Sequence, residues 1–532
     1  MNVERQSRAI ELELFTHRFE VLAAQMGEML QRTALSVNVK ERFDFSCAVL
    51  DPDGKLVVNA PHIPVHLGAL GLCVRSVVAT MDLAPGDVAV TNHPAYGGSH
   101  LPDVTVITPV WAESDGELLG YVASRAHHAE IGGTRPGSMP PTAVSLAEEG
   151  VVIAPRLLVQ RGVGQWEEIR DLLLSGPHPS RSVGENLADL AAAVAANQSG
   201  AAGLRALAVK HGSSTVRRQM GLLRKTAATR MRRALARRPV GEFRATELLD
   251  DGSPLTVRVE ISKGTAIFDF AGSGDVHPGN LNATPAIVRS VVLYVLRLLL
   301  DEPLPLNEGL LEPVELILPS GLLNPEFDSL PERCPAVVGG NVETSQRLVD
   351  TLLKALRVAA CSQGTMNNTL FGNETFGYYE TLCGGAGAGP GWHGASAVHT
   401  HMTNTAITDP EIVEQRYPVR LDEFSVRRGS GGTGRYRGGD GVRREFVFLA
   451  PMSLSLLTQH RARGPYGLEG GEAGASGRQG LVSRDGNREL LAAIEARDVE
   501  AGDRLVLETP GGGGWGMSTE SADAAEREAE KA

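Results

Sequence analysis

The chain has 532 residues, 42% of them apolar and 21% charged, enough for a large core divided among several folding units. Lys and Arg total 51 against 63 Asp and Glu, a net charge of −12, which excludes nucleic acid as the main ligand because phosphate binding needs a basic face. The five cysteines are scattered and form no C-x-x-C pair, which excludes a disulfide framework and a thiolate zinc knuckle and suits a reduced compartment.

In chain order, apolar residues recur at helical spacing over residues 5–35, through Ile10, Leu14, Phe15, Phe19, Leu22, Met26 and Leu30. The charged N-terminus lacks the apolar stretch of a secretory signal. Two short strands are predicted at 45–50 and 56–59, joined by the turn Asp51-Pro52-Asp53-Gly54. Further strands are predicted at 87–91, 104–111 and 118–126. A mainly helical region covers 183–238, interrupted at Gly200, Gly203 and Gly212 and closed by Pro239. Its basic run, including Arg224, Lys225, Arg230 and Arg233, reads as the solvated face of an amphipathic helix.

A hairpin follows at 255–260 and 265–270, then two buried helices at 285–300 and 345–360. The apolar stretch at 287–300 is interrupted by Arg289 and Arg297 and is too short to span a bilayer. From Gly384 glycine is dense, helix signals vanish, and irregular, strand-containing structure is expected to about residue 507. The glycine-rich stretches Gly384 to Gly394 and Gly429 to Gly441 read as tight turns in which glycine supplies positive φ. The fold class expected is mixed α/β (α+β) and multi-lobed. Its parts are an N-terminal metal-site lobe (1–180), a helical segment (181–240), a central α/β region (241–380), a glycine-rich β-containing region (381–517) and a disordered tail (518–532). A soluble, cytoplasmic protein with no membrane contact is expected.

Chemistry concentrates in two clusters. Asn92-His93-Pro94-Ala95-Tyr96-Gly97-Gly98-Ser99-His100-Leu101-Pro102-Asp103 sets His100 and Asp103 three apart, after a turn that two glycines permit. Arg125-Ala126-His127-His128-Ala129-Glu130-Ile131-Gly132-Gly133 ends the next strand, so a hairpin would bring the clusters together. Imidazole and carboxylate without thiolate suit zinc, manganese or iron(II), and a bound metal would lower the pKa of its water. Spacing alone leaves open that these are structural, hydrogen-bonded histidines. On an extended segment His127 and His128 point to opposite faces, so at most one reaches a metal. The pair His62 and His66, in a proline-containing run, suits either substrate binding or a structural role. His399 and His401 would share a face in a strand and read as packing or anchoring residues.

No G-x-x-x-x-G-K-[ST] phosphate loop and no G-x-S-x-G elbow occurs. The sequence resembles the hydantoinase B/oxoprolinase family over nearly its whole length. The matching blocks include Lys40-Glu41-Arg42-Phe43-Asp44-Phe45-Ser46, His62 to Gly68, the two clusters above, Gly340 to Arg347, His399 to Asp409 and Thr509 to Gly516.

The resemblance implies a divalent metal (Zn, Mn or Fe) held by Asp44, His100, Asp103 and one histidine of the second cluster. The family pattern H-x-x-D-I-G-G places that histidine on His127, with Glu130 standing where aspartate is usual. It implies the B subunit of a two-component amidohydrolase opening hydantoin, N-methylhydantoin, 5-oxoproline or a lactam. ATP would be bound by a hydantoinase A-type partner, in a hetero-oligomer such as A2B2. His128 and Glu130 are the expected catalytic groups that orient water or move a proton, and His62 and His66 are expected at the substrate. The alternatives the resemblance leaves are a subunit of an acetone-carboxylase-like ligase and a non-catalytic binding subunit.

Overall fold

The structure, a computed structural model, describes residues 2–60 and 63–517, with side chains from residue 6. The expectations for His62 and for the 518–532 tail fall outside these residues. Among the described residues the strands form four sheets with helices packed against them, a mixed α/β architecture. No helix there is long and apolar enough to cross a membrane.

The sheet that carries the site has seven strands: β1 (Phe45–Leu50), β2 (Leu56–Asn59), β3 (Val88–Thr91), β4 (Asp103–Trp111), β5 (Leu118–His127), β6 (Arg156–Gln160) and β7 (Val163–Gly164). Their order is β2-β1-β5-β4-β3-β6-β7 and every neighbouring pair is antiparallel. β1 and β5 bury both faces, so they read as continuous apolar runs rather than alternating ones. Cys47, Val49 and Val122 join the core of the N-terminal helix α1 (Asn2–Thr33) and the Val183–His211 helix. Ala48, Leu50 and Ala123 pack instead with Leu70, Cys73 and Val77 of the Ala69–Val78 helix. The period of two sorts successive residues to the two faces.

The strand and hairpin expectations match this sheet closely, but two glycine readings need correction. The Val183–His211 helix runs unbroken through Gly200 and Gly203, and only Gly212 separates it from the Ser213–Ala236 helix. A Cβ at Gly200 would lie 2.3 Å from Met26 Sδ, and one at Gly203 2.2 Å from Leu22 Cδ2. These glycines let α1 approach closely, and that packing offsets their helix penalty of about 1 kcal/mol.

The second correction concerns the C-terminal glycines. Few of them have positive φ. They interleave three backbone segments instead, with Gly439 N donating to Ala386 O and Gly512 N to Gly439 O, both at 2.9 Å. A Cβ on Gly439 would sit 1.9 Å from Ala395 O, and one on Gly512 2.0 Å from Ala386 O. Close backbone contact, not turn geometry, demands glycine here. A short helix, Pro410–Arg416, also appears where none was expected, capped by Asp409 with proline at its first position.

Glu149 ties the N-terminal region to the segment leading to residue 340. Its Oε1 accepts from Val337 N and Val338 N at 2.8 Å each, while Oε2 has no partner. Burial pushes this carboxyl up to about 8 against those two hydrogen bonds. Its contribution is full below the unfolded value of about 4.3 and is lost as pH rises through the folded value. Glu149→Gln is therefore expected to flatten the fall in Tm between about pH 5 and pH 8. Parallel slopes for the variant and wild type in thermal melts across that range would contradict this.

Candidate metal centre

The antiparallel register gathers the site at one end of the sheet. Asp103, first residue of β4, is directly opposite His127, last residue of β5. Phe45 of β1 pairs with Ala126, so Asp44, one residue earlier, arrives beside them, and its carbonyl accepts from His127 N at 3.0 Å. His100 comes from the turn preceding β4. That turn needs Gly97 at φ 81, where a Cβ would meet Cys73 N at 2.6 Å, and Gly98, whose Cβ would meet Asn92 O at 2.5 Å. Asn92 closes the turn by donating to Leu101 O and Val151 O.

One ligand atom each from His100, Asp103 and His127 lie within 4.8 Å of one another, and all three residues are buried. His100 Nε2 is 3.3 Å and His127 Nδ1 3.6 Å from Asp103 Oδ1. Asp44 Oδ2 stands 3.8 Å from His127 Nδ1. Both ring nitrogens of His100, Nε2 of His127 and Oδ1 of Asp103 make no hydrogen bond. Buried polar atoms are ordinarily satisfied, so donors converging without partners fit a divalent cation.

The electrostatics agree with that fit. Burial holds the His127 imidazole well below its usual range, with His100 adding to the effect, which keeps it in the neutral, ligating form. Burial also pushes Asp44 up to about 7, with Arg42 opposing and Asp103 adding repulsion. At Asp103 burial opposes ionisation, yet His100 and His66 hold its carboxyl well below the usual range. Two carboxylates in this space call for a compensating positive charge.

Around the cluster, Asp103 Oδ2 accepts from Ser99 Oγ and lies 3.2 Å from His66 Nε2. His66 Nδ1 is 3.0 Å from Ser46 Oγ. His66 thus stands against the cluster's carboxylate. The other expected residues are engaged elsewhere. His128 lies 3.1 Å from Asn186 Nδ2 of the Val183–His211 helix. Both oxygens of Glu130 are committed to Gly132 N, Gly137 N and Arg181, which anchors the loop after β5. His399 and His401 lie in no strand; His401 pairs with Asp350 at 3.0 Å.

Sequence reasoning gave no role to Tyr379. Its ring stacks on His127 at 4.6 Å and 12°, with the Arg42 guanidinium 4.7 Å from the tyrosine ring centre. The hydroxyl donates to Asn368 Oδ1 at 3.0 Å, and Asn368 donates to Glu343 at 2.7 Å. Arg42 sits in one of the matching sequence blocks, but nothing local marks a tyrosine so distant in the chain. Tyr379→Leu is expected to weaken divalent-metal affinity about 10- to 100-fold, as for other residues that orient ligands, with the far-UV spectrum unchanged. Chelator competition giving the wild-type affinity would refute that role.

The hydantoinase B/oxoprolinase family matches residues 8–518. The chain belongs to that family. It is 46% identical to 5-oxoprolinase 1 of Arabidopsis thaliana over 97% of this chain but only 42% of that protein, so it spans less than half of the relative's length. The structure of the ATP-dependent caprolactamase from Pseudomonas jessenii superposes with a TM-score of 0.85 at 26% identity, covering 98% of this chain and 94% of that one. An acetone carboxylase in its nucleotide-free structure gives a TM-score of 0.84 at 17% identity, covering 96% and 76%; this second likeness shows a shared fold alone. Of the four expected ligands, His100, Asp103 and His127 form the close group and Asp44 stands beside it, 3.8 Å from His127.

Proposed function

We propose that this chain performs the hydrolytic part of an ATP-coupled opening of small cyclic amides, with 5-oxoproline the leading substrate. The observation that carries the reading is the buried cluster of unpaired imidazole and carboxylate donors, in a chain of this family. Asp44, His100, Asp103 and His127 would hold a divalent metal; zinc, manganese and iron(II) all suit these donors. When bound, such a metal supplies Lewis-acid polarisation and lowers the pKa of coordinated water.

The chain's own residues prepare that chemistry. Ser99 and His66 hold one oxygen of Asp103 and leave the other facing His100 and His127. Tyr379 fixes the plane of the His127 ring. His66, poised between Asp103 and Ser46, is the best-placed group to pass a proton. Its burial lowers its affinity for that proton, which suits a relay through a neutral imidazole. His128 and Glu130 serve as anchors for the loop after β5.

An amide resists attack because resonance stabilises it. Phosphorylation of its oxygen by ATP gives an imidate phosphate; one water adds to the carbon, the ring C–N bond breaks with the nitrogen taking up a proton, and a second water cleaves the resulting acyl phosphate to the carboxylate and phosphate. No nucleotide loop occurs in this sequence. In this reading ATP binds outside it, on an A-type partner subunit or on chain of the kind that makes up the rest of the longer relatives.

The test supplies the ATP-binding component and measures ring-opened product and ADP for 5-oxoproline, hydantoin, N-methylhydantoin and caprolactam. Product that requires ATP and this chain, but no bicarbonate, is expected. Carbon fixation from bicarbonate with no ring opening would replace the reading with a carboxylase.

A further inference from the structure

A groove of about 1210 Å³ opens between α1, the Pro285–Leu298 helix and the chain near residue 304. Ile63 and Leu67 line it, while His66 between them turns to Asp103. The groove and the metal cluster thus lie on opposite sides of one loop.

Tyr294, which lines the groove, is backed by a chain of polar groups that the ring-opening chemistry does not use. Its hydroxyl oxygen lies 3.4 Å from His401 Nδ1, and His401 Nε2 lies 3.0 Å from Asp350 Oδ1. Asp350 is fully buried, and the same oxygen accepts from Ser362 N at 3.0 Å. A carboxylate on one ring nitrogen fixes the imidazole's orientation, as in other Asp–His pairs. Burial, and then Asp350, push the Tyr294 phenol up to about 12, so it keeps its proton at neutral pH. His401 holds its place at φ 52, a left-handed conformation that costs a non-glycine residue energy and recurs at binding sites.

Arg297 follows one turn along the same helix, lines the same groove and meets no carboxylate among the described residues. On the α1 wall, Glu13 also lines the groove and meets no cation among the described residues, whereas Glu20 is paired with His17. A groove with a few convergent polar groups on apolar walls is the ordinary form of a small-molecule site.

We propose that this groove is a second ligand site, distinct from the metal cluster, for an amino-acid zwitterion. Arg297 and Tyr294 take the carboxylate, with His401 held between Asp350 and the phenol oxygen, and Glu13 takes the ammonium. A simple anion would be repelled by Glu13, and an uncharged amide would leave the guanidinium unmatched. Opening a cyclic amide creates an amine and a carboxylate on one molecule, so the ligand is of the product class. That choice of ligand rests on the cyclic-amide reading; the site rests on its own geometry.

The experiment titrates L-glutamate, 5-oxoproline and 2-pyrrolidinone into the full chain carrying His100→Ala, by calorimetry, so that the metal cluster does not contribute. Glutamate is expected to bind, 5-oxoproline more weakly because it lacks the ammonium, and 2-pyrrolidinone not at all. Adding Arg297→Met or Tyr294→Phe should each weaken glutamate at least about tenfold, as for loss of a charge-assisted hydrogen bond, with circular dichroism unchanged. Absence of glutamate binding, or binding indifferent to both substitutions, overturns the proposal. Binding to wild type that disappears with His100→Ala alone places the ligand at the metal cluster and overturns it too. Failure of the cyclic-amide reading is seen separately, as intact groove titrations beside an assay that gives no ring-opened product.

Discussion

Asp103→Asn is expected to lower ATP-dependent ring opening by more than about 100-fold, beyond the upper end for residues that merely orient ligands. Asp103 is the hub of the cluster, lying within 3.6 Å of His127, 3.3 Å of His100 and 3.2 Å of His66, and accepting from Ser99. Asparagine keeps the shape but removes the charge that the three imidazoles face. It also presents an amide group where two acceptor oxygens stood. Ser99→Ala removes only one donor to the same carboxylate and should cost about tenfold. The comparison is made on turnover at saturating ATP, with metal content assayed on the same preparations. Equal activity for Asp103→Asn and wild type would remove Asp103 from the chemistry.

Arg444→Met is expected to destabilise the chain by about 3–5 kcal/mol, the range for breaking a buried ion pair by removing one partner. Arg444 Nη2 lies 2.9 Å from Glu380 Oε1, with side chains 1% and 0% exposed. The pair joins strand Gly377–Glu380 of one sheet to strand Gly441–Phe448 of another. Tyr378 also donates to Glu380, at 3.1 Å, and the neighbouring Tyr379 stacks on His127. An uncompensated Glu380 would thus disturb both the sheet junction and the wall of the metal cluster. Replacing both partners, Arg444→Met with Glu380→Leu, should recover most of the loss, because no buried charge is left unpaired. Denaturant unfolding of the two variants decides this; equal stability for both would mean that the ion pair does not link the sheets energetically.

What the sequence made legible was local. The turn Asp51 to Gly54, the short strands on either side of it and the hairpin bringing the two histidine clusters together all depend on neighbouring residues, and β1, β2, β4 and β5 follow the predicted limits within a residue. The juxtaposition of Asp103 and His127 could therefore be anticipated from strand pairing. Tertiary contacts could not. Gly200 and Gly203 look like helix breaks until α1 is seen against them. The C-terminal glycines look like turns until three backbones are seen interleaved. Tyr379 meets His127, and Arg42 meets Tyr379, only through the docking of a separate sheet. Glu130, in the motif beside His127, turned to the following loop because two glycine amides and Arg181 satisfy it there. Motif position alone does not say which way a side chain points.

The most direct measurement is metal stoichiometry. Wild type, His100→Ala and His127→Ala are dialysed to equilibrium against zinc, manganese and iron(II) in turn, the iron under anaerobic conditions, and bound metal is counted per chain by elemental analysis. One equivalent of at least one metal on wild type, lost in both variants while their circular dichroism is unchanged, is the predicted result. Wild type without bound metal under all three conditions, or variants that retain a full equivalent, would contradict the assignment of Asp44, His100, Asp103 and His127 as a metal centre and with it the proposed hydrolytic role.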